Sequence, residues 1–367
     1  MQKKNQHYVP QFYLRHFAIT EGRTAKAAKR KLIRTFNIPN EKFIEYASIK
    51  NQASDSFYYG EDLEIENKLS KMEGVFANTL WQIVNGDLPK RVTSDTIVTE
   101  NTFSLSEEYS SLLYFISVMD FRNPTRKKQI EVMTDNLAKQ MLKISKEFGN
   151  KMDIVNQFEI VPKDSVREAL SHVELTTELM ADLNYKLLVN HTSIPFVTSD
   201  YPVARYNQWL EQKTNRPASG GYGSLGVQLF IPISDRLQLL VYDDAAYNVG
   251  KPRHTVVNMI RKNDVDQINL LQYLNALSNV YGNDRMTEDY VRDLASRAKK
   301  FPSPNQITQK EIGSFVFQNT SGMRTRLNLS FVNLTPYALE YPVGNQAVFL
   351  REYAAMIREK RRWLIYR

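Results

Sequence analysis

The side chains of this chain that could move a proton, hold a metal ion or grip a phosphate lie mainly in a few short segments. The first, His7–Ala18, reads HYVPQFYLRHFA and sets the His7 imidazole and the Arg15 guanidinium among tyrosines and phenylalanines. The second is the pair Glu66 and Glu73, two helical turns apart, whose carboxylates leave a helix along nearly one line. Neither glutamate has a Lys or Arg three or four residues away, so each needs a tertiary partner: a metal ion, an arginine or a histidine. The third is Phe121-Arg122-Asn123-Pro124, where a guanidinium suited to carboxylate or phosphate sits before a helix-breaking proline. The fourth is Phe196-Val-Thr-Ser-Asp-Tyr-Pro202, a strand running into a polar turn that carries Ser199 and Asp200.

Each segment also has a plainer reading. The rings of the first could fill a core and leave His7 and Arg15 as satisfied polar tips. The glutamates could be solvated at the edge of an apolar stripe, or Arg122 could pair with one of them in a buried ion pair. Ser199 and Asp200 could bond their own backbone, as such residues do in turns. No Gly-x-Ser-x-Gly elbow surrounds Ser199, so a serine hydrolase has little support. His16, His172, His191 and His254 show no metal-ligand spacing.

The elements that must position these groups follow from periodicity. Residues 19 to 60 read as irregular or strand-rich, with Phe36–Pro39 and Phe57–Gly60 as turn-bounded pieces. Ile65, Leu69, Met72, Phe76, Leu80 and Ile83 recur at helical spacing from Glu61 to about Asn85. Ser104 and Glu107 form a capping box before a very apolar helix that runs to the Arg122-Asn-Pro124 break. Further helices are expected over about Arg126 to Phe148 and Asp164 to Leu183. Strands then take over: Tyr185 to Asn190, Phe196 to Thr198, and a hairpin of Val227–Ile233 with Leu237–Tyr242. A helix is expected over Asn263 to Tyr281, then a polar stretch from 284 to 312. Strands at Arg324–Val332 and Tyr337–Tyr341 and a basic helix from Gln346 complete the reading. Ser219-Gly-Gly-Tyr-Gly223 fits no phosphate-loop spacing and reads as a flexible loop.

Helices first and strands later point to an α+β fold: a tucked N-terminal motif and helical bundle, then a mostly antiparallel sheet with packed helices. The expected organisation is a core over residues 1–283, helical over about 61–183 and sheet-forming over about 185–281, with a C-terminal extension over 284–367. The absence of cysteine removes thiolate chemistry, disulfides and cysteine-held metals. No membrane-spanning run or leader is evident in the sequence, so a cytoplasmic protein is expected. The net charge of +8 concentrates at Arg23, Lys26, Lys29, Arg30, Lys31 and Arg34 and at Arg358, Lys360, Arg361, Arg362 and Arg367, which favours a nucleic acid or nucleotide partner.

Taken together, His7-Tyr-Val-Pro10 with Tyr13-Leu-Arg15 and Phe17, the Glu66/Glu73 helix, Arg122-Asn-Pro124 and Thr198-Ser-Asp-Tyr-Pro202 resemble a bacterial domain-of-unknown-function family. The resemblance spans roughly residues 3 to 280 and implies that these polar groups belong to one signature set. It implies no reaction, cofactor or substrate. Tyr201 stands where the family's motif is expected to carry Asn. The residues themselves point to a metal-dependent hydrolase of a phosphodiester or nucleotide, a nuclease being one form, and the resemblance adds an expected association with phage defence. Magnesium or manganese on Glu66, Glu73 and Asp200 would activate water, with His7 as ligand or base, Arg122 or Arg15 on the phosphate, and Ser199 beside them. Two other readings use the same residues: a metal-independent enzyme acting on a nucleotide or a nucleotide-bearing cofactor with Glu as the base, or a nucleic-acid- or protein-binding module whose polar cluster is a buried ion-pair network.

Overall fold

The computed structural model describes residues 5–20, 31–91, 105–145, 151–214, 220–302, 304, 307–312, 315–320, 322–342 and 349–365. Ser104, Ser219, Arg23, Lys26, Lys29, Arg30 and Arg367 lie outside the described residues, as do the side chains of Arg358, Lys360, Arg361 and Arg362.

The fold is α+β and is built around two sheets. One has five strands in the order Val256–Met259, Asn184–Asn190, Leu237–Tyr242, Gln228–Pro232, Ala204–Tyr206, with only the first pair parallel. The other has four antiparallel strands in the order Lys42–Ser48, Leu32–Asn37, Asn279–Gly282, Thr198–Ser199. The first sheet is covered on both faces. Along Asn184–Asn190 the side chains alternate, with Leu187 facing the N-terminal half of the chain and Leu188 facing the C-terminal half.

Helix α1 (Gln11–Leu14) and the following turn carry the N-terminal rings inward: Val9, Tyr13, Leu14 and Phe17 are fully buried. Helix α2 (Glu64–Val84) buries Ile65, Leu69, Phe76, Leu80 and Ile83 along one stripe, as its spacing requires. Helix α3 (Glu107–Phe121) is buried on nearly every side. These helices, the N-terminal motif and one sheet face share a single core. Tyr13 fastens the motif to both sheets, donating to the Pro232 carbonyl at 2.6 Å and lying 2.9 Å from Thr198 Oγ1.

Several expectations are corrected. The cap of α3 is Ser106, whose side chain accepts from the Tyr109 amide at 3.1 Å. Helix α4 (Pro124–Ile144) starts at the proline, because Pro124 fits the first helical turn and Asn123 caps it. The stretch from Asp164 is two short helices, Ser165–Leu170 and Val173–Leu179, with Ser171 between them bonding back to the Glu168 carbonyl. The helix from Lys262 stops at Asn275; Ala276 is extended and Asn279–Gly282 is a central strand. The polar stretch after 284 holds a capped helix, Glu288–Ala298. Tyr337–Tyr341 is largely helix (Pro336–Glu340), because Thr335 caps it and Pro336 occupies its first position. Of the strand expected over Arg324–Val332 only its end survives, in Val332–Leu334, which pairs with Tyr247–Val249; Arg326 has a positive φ of 54° that breaks an extended run.

The C-terminal segment lies against the main body. Met323, Leu327, Leu329, Ala338 and Phe349 join the core on the second face of the five-stranded sheet, and Trp209 Nε1 donates to the Ala338 carbonyl at 2.8 Å. No helix among the described residues is long and apolar enough to cross a membrane.

Candidate functional site at the N-terminal motif

His7 ends the strand Asn5–His7, which pairs antiparallel with Ser54–Ser56. Its carbonyl accepts from Tyr59 Oη at 3.0 Å and from Arg122 Nη2 at 2.5 Å. Its ring is half-buried, and Nε2 lies 3.0 Å from the Lys50 carbonyl. Burial holds the His7 pKa below the ordinary 6.5; the Lys50 contact and Glu73 work the other way, and Arg122 adds to the lowering.

Arg122 is the centre of this group, and the helix break puts it there. Pro124 holds Asn123 extended (φ −86°, ψ 144°), so α3 ends with Arg122 as its cap. The guanidinium is 2% exposed and is held on three edges: Nε to Tyr59 Oη at 2.8 Å, Nη1 to Glu73 Oε1 at 3.0 Å, and Nη2 to the His7 carbonyl. Burial opposes its charge, but Tyr59 and Glu73 outweigh that and hold its pKa above the ordinary value. Tyr59 itself is pushed up to about 12, chiefly by burial. The next residue reaches the strand end: Asn123 Nδ2 donates to the Asp200 carbonyl at 2.9 Å.

Asp200 is fully buried, and its carboxylate is occupied by the turn before Asn279–Gly282. It accepts from the amides of Leu277, Ser278 and Asn279 at 2.8, 2.9 and 2.9 Å. Burial still pushes its pKa up to about 6, against the pull of those donors. Ser199 is equally committed, donating to the Tyr201 carbonyl at 3.0 Å and accepting from Gln272 Nε2 at 2.6 Å. Both side chains are thus engaged in the hydrogen bonds of the turn.

The structure thus brings His7, Glu73 and Arg122 into direct contact and ties Asp200 to them through Asn123. Glu66 is half-buried on α2, close enough to Tyr59 to raise its pKa. Arg15 is exposed in the turn Arg15–Phe17 and takes no part in these contacts. Among the described residues no three His, Asp or Glu side chains stand together as a metal-binding group, so Glu66, Glu73 and Asp200 are not gathered into one.

Tyr8, Tyr58, Tyr59, Asn123 and the Lys50 carbonyl were missed as site residues. The signal for Tyr59 is Phe57-Tyr-Tyr-Gly60, whose ends adopt positive φ (52° and 98°) and fold the segment back toward His7. Tyr58 packs edge-on to Tyr59 at 4.8 Å and lies 5.5 Å from Tyr8. Its hydroxyl is buried without a hydrogen-bond partner.

The chain belongs to the family described as proteins of unknown function, DUF4238, whose model matches residues 5–286. Comparisons with curated proteins and with solved structures return no match.

Proposed function

We propose that this protein is a hydrolase of a nucleotide or other phosphodiester in which His7 is the base that deprotonates the attacking water. The observation that carries this is the tautomer of His7. A carbonyl can only accept, so the Lys50 contact fixes the ring proton on Nε2 and leaves a lone pair on Nδ1. Burial keeps the ring neutral near pH 7, and Nδ1 has no hydrogen-bond partner among the described residues. Water would give its proton to Nδ1 as its oxygen bonds to phosphorus. The departing oxygen leaves with the electrons of the broken P–O bond and takes a proton back from the imidazolium.

Glu73 and Arg122 position the ring rather than touch the water, because Arg122 holds the His7 carbonyl. Half-buried Tyr8 and Tyr58 supply the ring faces on which a base would stack. This mechanism needs no metal ion. The test is hydrolysis of bis(p-nitrophenyl) phosphate and of nucleotides by the EDTA-treated protein. Activity should persist, and His7→Gln should lower kcat by about 100-fold or more with the melting temperature nearly unchanged. Loss of activity in EDTA with rescue by manganese would replace this mechanism with metal-activated water on Glu66 and Glu73.

A second reading rests on the burial of Arg122. With three edges occupied, the cluster can be a purely structural junction in a protein that binds nucleic acid without turnover. Nucleic-acid binding with no hydrolysis, unchanged in His7→Gln, would favour it.

A further inference from the structure

The helix break at Arg122 has a second side. Asp120, just before it, and Arg126, just after it, face away from His7 toward Tyr201 and Tyr222. Asp120 is buried; its Oδ2 accepts from Arg126 Nε and Nη2 at 2.8 and 2.5 Å, and its Oδ1 from Tyr201 Oη at 2.5 Å. Burial alone would raise its pKa, but Arg126 and Arg205 hold it below the usual carboxylate range. Arg126 Nη1 also donates to Gln129 at 2.8 Å, and its guanidinium lies 5.1 Å from the Phe121 ring. The one carboxylate of the cluster is thus matched by Arg126.

Arg205 is the second cation, and among the described residues it has no hydrogen-bonded carboxylate of its own. It lies in the edge strand Ala204–Tyr206, where Ala204 and Tyr206 enter the core on one face and Arg205 projects from the other. Its guanidinium sits 5.1 Å over the Tyr222 ring, near Asp120 and Tyr201, and makes no hydrogen bond among the described residues. Tyr222 adds an independent observation. It is 6% exposed, and its hydroxyl is buried without a partner beside Asp120, Arg126 and Arg205. Buried hydroxyls are rarely left unbonded without a reason. Tyr222 is also held in place, since Arg351 Nη1 donates to its carbonyl at 2.8 Å and to that of Ser224 at 3.1 Å. An oxyanion would accept from this guanidinium and the phenol O–H at once and would also balance the guanidinium's charge.

We propose that Arg205, Tyr222 and Arg126 form an anion site that takes the phosphoryl group of a small ligand, distinct from the His7 cluster. Arg205 supplies the charge and a fork of donors, Tyr222 Oη a buried donor, and Arg126 the positive field on the far side of Asp120. The phosphoryl group could arrive as inorganic phosphate or as the 5′-phosphate of a mononucleotide.

Calorimetric titration of the whole protein with inorganic phosphate and with AMP tests this. Binding of phosphate is expected, weakened about tenfold or more in Arg205→Gln and also reduced in Tyr222→Phe. Thermal melts on the same samples show that both variants fold. Tighter binding of AMP than of phosphate identifies the mononucleotide as the source; equal binding identifies the free anion. No phosphate binding by the wild type, or binding unchanged in Arg205→Gln, overturns the site. Because the readout is binding and the variants lie away from His7, its failure leaves the hydrolase reading untouched.

Discussion

At the scale of single residues, the His7 ring is set by what its backbone and neighbours do. Its folded pKa lies below 6.5, so the acid limb of a pH–rate profile should fall below pH 6.5, with activity lost as the ring takes a proton. Stability carries the same sign. Between the folded pKa and 6.5 the unfolded chain binds more protons than the folded one, so stability should decline as pH drops through that window. Melting curves of wild type and His7→Gln across pH 5 to 7 would expose the difference. Glu73 behaves otherwise. It is 28% exposed but, among the described residues, is the only carboxylate hydrogen-bonded to the buried Arg122, so Glu73→Gln should lower the melting temperature as well as activity. From sequence alone the glutamate reads as a ligand awaiting a metal. Its partner, Arg122, was named as an alternative there, but spacing does not reveal which tertiary partner wins.

At the scale of elements, the break between α3 and α4 does two jobs at adjacent positions. Arg122 turns to the His7 carbonyl and Asn123 to the Asp200 carbonyl. A lysine at 122 has no planar fork to reach Tyr59, Glu73 and His7 together. Arg122→Lys should therefore cost about 3–5 kcal/mol in urea unfolding, and the double change Arg122→Met with Glu73→Leu should cost less. Asp200→Asn would turn an amide NH2 toward backbone N–H donors and should cost about 1–3 kcal/mol. It should also remove a pH slope. With the folded pKa near 6 and the unfolded value near 3.8, the folded state holds the extra proton, so wild-type stability falls as pH rises between them. The long helices were legible because their apolar stripes repeat every three or four residues. The polar turn at Ser199-Asp200 was legible too, but its partners, Gln272 and residues 277–279, were not, because they are distant in sequence. The short C-terminal helix at Pro336 was misread as strand although Thr335-Pro336 is a helix-start signal.

At the scale of the whole molecule, the segment beyond the family match is part of the core. Arg351 binds Asp182 through two edges at 2.7 and 2.9 Å while also holding the Leu179, Tyr222 and Ser224 carbonyls. A chain cut after residue 286 would expose the Trp209 side of the sheet and is expected to be insoluble or to lose its cooperative melt; a soluble, cooperatively folding fragment would contradict this. Tyr13 has a further consequence. Its hydroxyl reaches residues 198 and 232, and the strand Asn279–Gly282 separates Leu32–Asn37 from Thr198–Ser199 in the smaller sheet. The residue at position 13 therefore docks against partners 185 and 219 positions further along the chain. The Tyr13 anchor forms only once the segments around 198 and 232 are in place, so the N-terminal motif is finished by long-range contacts after its local pairing with Ser54–Ser56.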